Sequence, residues 1–333
     1  MDKETFEKDV AEYTGPLSHI SREVSDPKLD DLDKLYGVTS RLSAQNREKH
    51  RKIIWCLATT GTLLALFFLI YDSATVYYLI LACIIALGFL YGILRYADTL
   101  KCHEKYLEYR LLAESLRVQF FLSIAAIETP VTDLLPWFII KGIDWIDDAI
   151  GKQPVLPKEE KKPILDFWIK DQIKYHTSAI EKKTKQLKRQ KIVSKTAIII
   201  TVATFFITLV FEFWMANNPG EINNATIAAL LNIVQNHGAM IGYDQTEFIR
   251  AILKIIIGTM SAATLFIGSY YGKMSLSDSI DDHKRMKELY EFAENQMGPE
   301  EDDALILWLA REFLIENSTW YSYQNQNKAE FVF

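Results

Sequence analysis

The chain has 333 residues, of which 49% are hydrophobic and 24% charged, and its formal net charge is −6. This acidic balance argues against a nucleic-acid-binding protein, which needs a basic face to displace the counterions of the phosphates. The three cysteines, Cys56, Cys83 and Cys102, lack the spacing of a disulfide framework or a zinc site, and enzyme motifs such as Gly-x-Ser-x-Gly are absent. We therefore expect a protein that is not an enzyme and that holds no cofactor or metal.

Four apolar blocks dominate the sequence, at residues 53–71, 74–94, 196–214 and 250–272. An α-helix rises about 1.5 Å per residue, so about 20 residues cross a hydrocarbon core of about 30 Å. Each block is close to that length, and charged residues occur only near the ends of the last two. The sequence therefore predicts four transmembrane helices. A buried hairpin of a water-soluble protein is the alternative, and four blocks of spanning length argue against it.

Lysine and arginine are distributed unevenly among the segments that connect the blocks. They lie before the first block, between the second and the third, and after the fourth, whereas residues 72–75 and 213–249 contain none. Because basic connections remain on the cytoplasmic side of a membrane, we expect both termini and the middle segment to be cytoplasmic.

The segment after the second block has a counterpart after the fourth. Residues 98–115 (DTLKCHEKYLEYRLLAES) and 278–295 (DSIDDHKRMKELYEFAEN) keep an Asp, a Ser or Thr, a Leu or Ile, a His and an Ala-Glu pair in the same order. GFLYG at 88–92 and GSYYG at 268–272 extend the match into the blocks. The agreement predicts duplication of a two-span unit. Since each unit crosses the membrane twice, the two copies would insert in parallel.

The expected fold is an all-α membrane protein, with four transmembrane helices in two parallel-repeat hairpins and long cytoplasmic helices. The first unit, residues 1–150, would hold a cytoplasmic helix, two spans and a second cytoplasmic helix at about 96–127. Residues 151–163 are rich in proline and charge, which is typical of a linker. Residues 164–333 would form the second unit, with a basic helix, two spans and further cytoplasmic helices.

Small residues at four-residue spacing mark the second helix of each predicted hairpin. Such residues let two helix backbones approach closely, and in lipid it is packing that holds helices together. The close contact can lie inside one hairpin or between the subunits of an oligomer, and the sequence leaves both open. The expected helix-packing residues are Gly88, Gly92, Gly258, Ala262, Gly268 and Gly272.

Two charged positions lie near the predicted outer ends of the spans. Glu212 is about one turn inside the end of the third span, and Lys254 follows the start of the fourth. Ionisable groups at membrane depth are costly unless they are paired, so we predict an ion pair between Glu212 and Lys254. The alternative is that both side chains extend to the headgroups.

The two repeated segments carry apolar residues at helical spacing, and each continues directly from a span. We expect the two helices to stand side by side as a cytoplasmic regulatory layer. In this layer Leu112 and Phe292 would face apolar neighbours, and Glu114 and Glu294 would form salt bridges to neighbouring helices.

A histidine occupies the same position in each copy of the repeat, at His103 and His283. A paired metal or proton-sensing site would need a ligand set of recognisable spacing nearby, and the sequence has none. Solvated or helix-capping histidines are therefore expected.

The segments YLEYRLLAESLRVQF (106–120) and AREFLIENSTWY (310–321) resemble the SLATT family of small two-span membrane modules with long cytoplasmic helices. The chain is similar to two such units in tandem. The resemblance implies an oligomeric effector of the cell inner membrane in prokaryotic antiviral defence, which forms a pore or perturbs the membrane when a cytoplasmic sensor or signalling partner is triggered. A non-conducting scaffold that recruits a cytoplasmic partner protein is the alternative. The expected partners are the lipid bilayer and further copies of the chain.

Overall fold

The structure, a computed structural model, is built from helices. It describes residues 1–21, 26–74, 76, 78–160, 163–217, 222–274, 276–297 and 302–326, with the backbone alone for 269–274. These residues form eleven α-helices and short 3-10 and π-helical turns, and they contain no β-strand. The helices are α1 (Lys3–Ala11), α2 (Asp30–Ala74), α3 (Leu79–Leu100), α4 (Cys102–Ile124), α5 (Trp137–Gly142), α6 (Trp145–Ile150), α7 (Lys170–Asn217), α8 (Ala225–Asn236), α9 (Gln245–Met274), α10 (Leu276–Gln296) and α11 (Asp303–Gln326).

The two long helices α2 and α7 are uninterrupted over 45 and 48 residues. Each contains one predicted span together with the segment that precedes it. The second span differs, because Lys101 stands between α3 and α4 with a φ of 47°, in the left-handed region that interrupts a helix. Helix α4 then continues without Gly or Pro to Ile124.

The chain forms two compact units that cut across the division expected from the sequence. Unit 1 consists of Met1–Arg51, Leu100–Thr184 and Leu276–Phe333, and unit 2 consists of Lys52–Thr99 and Lys185–Ser275. The boundary predicted at 151–163 lies inside unit 1 and does not separate the two units. The reason is that helices from the two halves of the chain share cores, as when α4 packs along α11 in unit 1.

Helix α4 is the centre of unit 1. Nearly every side chain from Leu107 to Ile124 is buried, including Leu111, Leu112 and Leu116 at 0% exposure. Burying one leucine side chain contributes about 1.5–3 kcal/mol relative to leaving it in water. Helix α4 packs mainly against α11, and α10 packs against α11 and the π-helical turn Leu165–Ile169. The two copies of the repeated sequence are therefore not each other's principal partner, which corrects the expectation that they stand side by side.

Four helices are long and apolar enough to cross a membrane, as the sequence predicts: α2, α3, α7 and α9. Their most apolar windows of 18 residues have mean hydropathies of 2.3, 2.1, 2.2 and 1.8, and only 6–17% of each window is buried. Large apolar side chains such as Phe89, Leu209 and Leu265 are more than 60% exposed. A surface of this kind is unfavourable in water and is suited to lipid or to further protein.

Within unit 2, α2 and α9 approach closely at two glycines. A Cβ atom at Gly61 would lie 2.4 Å from the Phe266 ring, and one at Gly258 would lie 2.4 Å from a methyl group of Leu69. Both contacts are tighter than ordinary van der Waals contact, so each glycine makes room for a larger side chain on the other helix. Gly61 was not among the packing residues predicted from the sequence.

Helix α9 also contacts α7 and α8. The hydroxyl groups of Thr201 and Thr264 are hydrogen-bonded at 3.1 Å, which joins α7 to α9. Helix α8 packs on α9 through Leu231, which is buried, while Leu230 is 51% exposed. Leu230 therefore lies outside the packed face of α8.

We expect Gly61→Ala to destabilise unit 2, with Gly88→Ala as its matched control. Both changes add one methyl group to a helix, so the gain in helix propensity is shared. At Gly61 the methyl group would overlap the Phe266 ring, whereas at Gly88 it would meet nothing within 4 Å. The difference in the free energy of unfolding should be about 1–3 kcal/mol, measured by thermal unfolding in detergent. Equal stabilities would show that Phe266 moves aside without cost.

Candidate functional site

A polar pocket lies inside unit 1, between α4, α7, α10 and α11. Its volume is about 70 Å³. Each of the four helices contributes ionisable or amide side chains to its wall, among them Arg110, Arg117, His176, Asp282, His283 and Asn317. Such a concentration of polar groups is unusual in the interior of a helical bundle, because a buried polar group is costly unless it is hydrogen-bonded. The pocket is therefore the candidate functional site.

Two histidines meet in this pocket. The Nδ1 atoms of His176 on α7 and His283 on α10 are 2.9 Å apart, and the two side chains are 6% and 8% exposed. One Nδ1–H must donate to the other, unprotonated Nδ1. Burial, followed by the adjacent positive charges, lowers the pKa of His176 to about 3 and that of His283 to about 4. Both rings are thus neutral near pH 7.

The carboxylates of the pocket are each paired with an arginine. Glu114 accepts a hydrogen bond of 2.8 Å from Arg117, whose other terminal nitrogen donates to the Tyr36 hydroxyl at 2.6 Å. Arg285, just outside the pocket, lies 3.1 Å from Asp282 and 2.5 Å from Glu316. Two arginines therefore serve three carboxylates, since Arg285 is shared between Asp282 and Glu316.

Two cations have no such carboxylate. The guanidinium carbon of Arg110 lies 3.8 Å from the centre of the Trp320 ring, and Lys183 donates a hydrogen bond to the hydroxyl of Ser279, which lines the pocket. Among the residues that the structure describes, no carboxylate is within ion-pair distance of Arg110 or Lys183. Burial and the neighbouring Arg110 lower the pKa of Lys183 to about 8, as expected of an amine in a positive environment.

The predicted regulatory residues have unequal environments. Leu112 lies in the core of unit 1 at 0% exposure, whereas Phe292, its counterpart in the repeat, is 51% exposed and contacts Trp308 at a ring-centre distance of 5.7 Å. Phe292 therefore does not face an apolar interior, and that part of the prediction is wrong. The buried face of α10 is formed by other residues: Ile280, His283, Met286, Tyr290 and Ala293.

One of the two glutamates of the repeat, Glu114, also differs from expectation. Glu114 pairs with Arg117 on its own helix, one turn away, and reaches α2 only through the bond from Arg117 to Tyr36. The predicted salt bridge to a neighbouring helix is thus replaced by a shorter-range pair, because the Arg117 side chain lies on the same face of α4. Glu294 is half-buried on α10, and its salt bridge to a neighbouring helix stays a prediction.

The sequence suggested solvated or helix-capping histidines, and the two rings differ. His283 is not solvated, whereas His103 contacts the last turn of α11, as a capping residue does. His283 is buried against His176. His103 is half-buried, its ring centre is 4.8 Å from that of His50, and its Nε2 lies 3.3 Å from the carbonyl oxygen of Gln324. His283, which the sequence alone assigns to the surface, is therefore part of the interior of unit 1.

The glycine motifs divide into two groups. Gly258 packs against Leu69, whereas a Cβ atom at Gly88, Gly92 or Gly268 would meet nothing within 4 Å in the part of the chain that the structure describes. Close packing inside one hairpin is therefore absent at these three positions, and packing between subunits stays a prediction. Ala262 is half-buried on α9, and Gly272 lies outside the residues whose side-chain surroundings are described.

The predicted ion pair between Glu212 and Lys254 is wrong. Glu212 accepts two hydrogen bonds from Arg250, of 2.8 and 2.7 Å, and Lys254 pairs with Asp72 at the end of α2. The guanidinium group matches both carboxylate oxygens at once, which a lysine amine cannot do. Lys254 is one helical turn further along α9, where it meets Asp72.

Sequence reasoning missed the arginines and the second histidine of the pocket. A signal was present, because Arg110, Glu114 and Arg117 recur at spacings of four and three residues and thus share one face of a helix that is otherwise buried. His176 carried no comparable signal, since its partner is distant in the sequence.

No protein-family model matches the chain, and neither the curated proteins nor the solved structures contain a match. Within the described residues, no group of three or more His, Cys, Asp or Glu side chains is arranged to hold a metal ion. The interpretation of the site therefore depends on its own chemistry.

Proposed function

We propose that this chain is a multi-pass membrane effector that assembles with copies of itself and opens a pore, or otherwise perturbs the membrane, when unit 1 receives a signal. The observation that carries the proposal is the continuity of α7. This helix contributes His176 and Tyr175 to the pocket and, further along, forms the third apolar span. Because an α-helix is stiff, a displacement at the pocket end is transmitted along the same element.

The exposed surface of α3 supports self-assembly. Cys83 is the only buried residue of this helix, and Ile85, Phe89 and Tyr91 are each more than 60% exposed. Gly88 lies on the same helix with free space around it. A second copy packing at the glycines would bury part of this surface, as small residues do between membrane helices.

The segments that make up unit 1 support a topology in which both termini and the middle segment lie on the same side of the membrane. Both chain ends and the segment between the two hairpins belong to this one unit. Together with the absence of lysine and arginine from residues 213–249, this favours termini on the cytoplasmic side of the inner membrane. The resemblance to tandem SLATT modules, and with it a role in antiviral defence, is part of the proposal.

The test is release of a small fluorophore from proteoliposomes. We expect release by the parent protein or by Leu112→Asp, in which the core of unit 1 is broken and control of the spans is lost. The comparison variant is Gly88→Leu/Gly92→Leu, because a Cβ atom at either glycine meets nothing within 4 Å among the described residues. It should insert normally but release less dye and show a smaller oligomer mass. If neither the parent nor Leu112→Asp releases dye, the pore function is wrong.

A membrane scaffold is the second candidate, favoured by an apolar patch on unit 1. Trp137, Phe138 and Ile140 of α5 are 73%, 39% and 36% exposed. Exposed aromatic and aliphatic side chains in one short helix are typical of a surface that recruits another protein. Intact liposomes in the leakage experiment would favour this function.

A further inference from the structure

We propose that the pocket of unit 1 binds a small oxyanion, such as a phosphate group, through Arg110 and Asn317, with Lys183 as a neighbouring positive charge. The ligand class comes from three independent features of the pocket: its charge, an unused hydrogen-bond donor and its size. The binding itself is independent of the proposed pore function; only the role of the anion as the signal rests on it.

The charge of the pocket favours an anion. Four cations face three carboxylates in and around the pocket, which leaves one positive charge in excess: Arg110, Arg117, Lys183 and Arg285 against Glu114, Asp282 and Glu316. Among the described residues, neither Arg110 nor Lys183 has a carboxylate within ion-pair distance. An excess of positive charge in a partly buried site favours an anion that joins it. The guanidinium group of Arg110 is also held in place by the Trp320 ring, so it is preorganised to meet a ligand.

An amide donor in the pocket wall has no partner in the protein. Asn317 is 7% exposed and lines the pocket, and its Nδ2 is buried without a hydrogen-bond partner among the described residues. Leaving a buried donor unsatisfied is costly, and native structures rarely do so without a reason. A bound acceptor oxygen would satisfy Nδ2 while it compensates the charge of Arg110.

The size of the pocket limits the ligand to a small group. A volume of about 70 Å³ is well below the roughly 300–1,000 Å³ of sites for drug-sized molecules. It is several times the roughly 10–15 Å³ that one water molecule requires on a comparable measure. A group of a few heavy atoms such as phosphate fits this range, either free or as the headgroup of a lipid.

The experiment measures stabilisation of the full-length protein in detergent at low salt, first by inorganic phosphate and then by phosphatidic acid added to the micelle. Saturable stabilisation by inorganic phosphate is expected for a free anion, and stabilisation by phosphatidic acid alone would identify a lipid headgroup. Either result supports the oxyanion site if the variants respond as follows.

Arg110→Met should weaken binding about ten-fold or more, because it removes a charge-assisted hydrogen-bond donor. Asn317→Leu, on a different helix, should weaken it about two- to ten-fold. The matched control is Arg311→Met, which removes an equal charge from an exposed position on α11 and should bind as the parent does. If Arg110→Met does not fold, Asn317→Leu and the control decide the outcome.

The proposal is overturned if neither probe binds saturably, or if the pocket variants and Arg311→Met lose affinity equally. In either case the cations of the pocket only stabilise the protein. The leakage experiment is scored separately, so a pore without anion binding and anion binding without a pore are distinguishable results.

Discussion

Leu112→Asp should unfold unit 1, whereas Phe292→Asp should leave it folded. Leu112 has no exposed surface in the core where α4 packs along α11. A carboxylate at that position loses its hydration without gaining a partner, which costs on the order of 5 kcal/mol. Because a folded domain is stable by only about 5–15 kcal/mol, this substitution removes much or all of the stability.

Phe292→Asp is the matched control, since the two positions are equivalent in the repeated sequence. The Phe292 side chain is 51% exposed, so an aspartate there stays hydrated. The expected loss is about 1 kcal/mol, from the contact with Trp308. Thermal unfolding followed by near-ultraviolet circular dichroism measures both variants. Similar losses of stability in the two variants would mean that Phe292 is buried by something outside a single chain, such as a second subunit.

The apolar spans could be predicted from the sequence because their signal is local. A run of about 20 apolar residues fits a membrane whatever the rest of the chain does, and α2, α3, α7 and α9 all contain such a run. The ends of the spans were predicted less accurately. The second block was expected to begin at residue 74, but Ala74 is the last residue of α2, and α3 begins at Leu79. The apolar character of a run does not indicate the residue at which the backbone turns.

The packing of unit 1 could not be predicted, because equal sequences do not have equal surroundings. The repeat made Leu112 and Phe292 equivalent, yet one is in the core and the other is at the surface. Helical spacing shows that two residues share a face of one helix, but the partner helix decides whether that face is covered. For α4 the partner is α11, which lies far from it along the sequence, at Asp303–Gln326.

The candidate site could not be predicted for the same reason, because the sequence does not show which helices pack together. Its residues come from four helices. His176 and His283 form a hydrogen-bonded pair although 107 positions separate them in the sequence. The one local signal, the spacing of Arg110 and Arg117 on α4, indicates a charged face but not what covers it. Only the packing of α7, α10 and α11 turns that face into a pocket.

Acidification should destabilise unit 1 through the histidine pair. An unfolded histidine has a pKa of about 6.5, whereas in the folded protein burial lowers the pKa of His176 to about 3 and that of His283 to about 4. Between pH 6.5 and 4 the unfolded chain therefore binds more protons than the folded one. Stability present above pH 6.5 is lost as the pH falls through this window, by an amount on the order of a few kcal/mol for the coupled pair.

Charged groups on every surrounding helix act on this pair. The positive charges of Arg110 and Arg117 on α4 and Lys183 on α7 oppose its protonation. Asp282 on α10 and Glu316 on α11 also line the pocket. Burial, followed by the charge of Glu316, raises the pKa of Asp282, so protonation of this carboxyl favours the folded state at low pH and offsets part of the loss. The effect is smaller than that of the histidines, because two depressed rings outweigh one carboxyl group.

The measurement is the melting temperature of the parent and of His176→Asn/His283→Asn between pH 7.5 and 4.5, with the exposed His237→Asn as the control. The double variant keeps polar groups in the pocket but has no ring to protonate, so its stability should fall much less on acidification. The parent and His237→Asn should show the same steep fall. If the double variant is as acid-sensitive as the parent, the sensitivity comes from paired carboxylates elsewhere, and the histidine pair does not control the stability of unit 1.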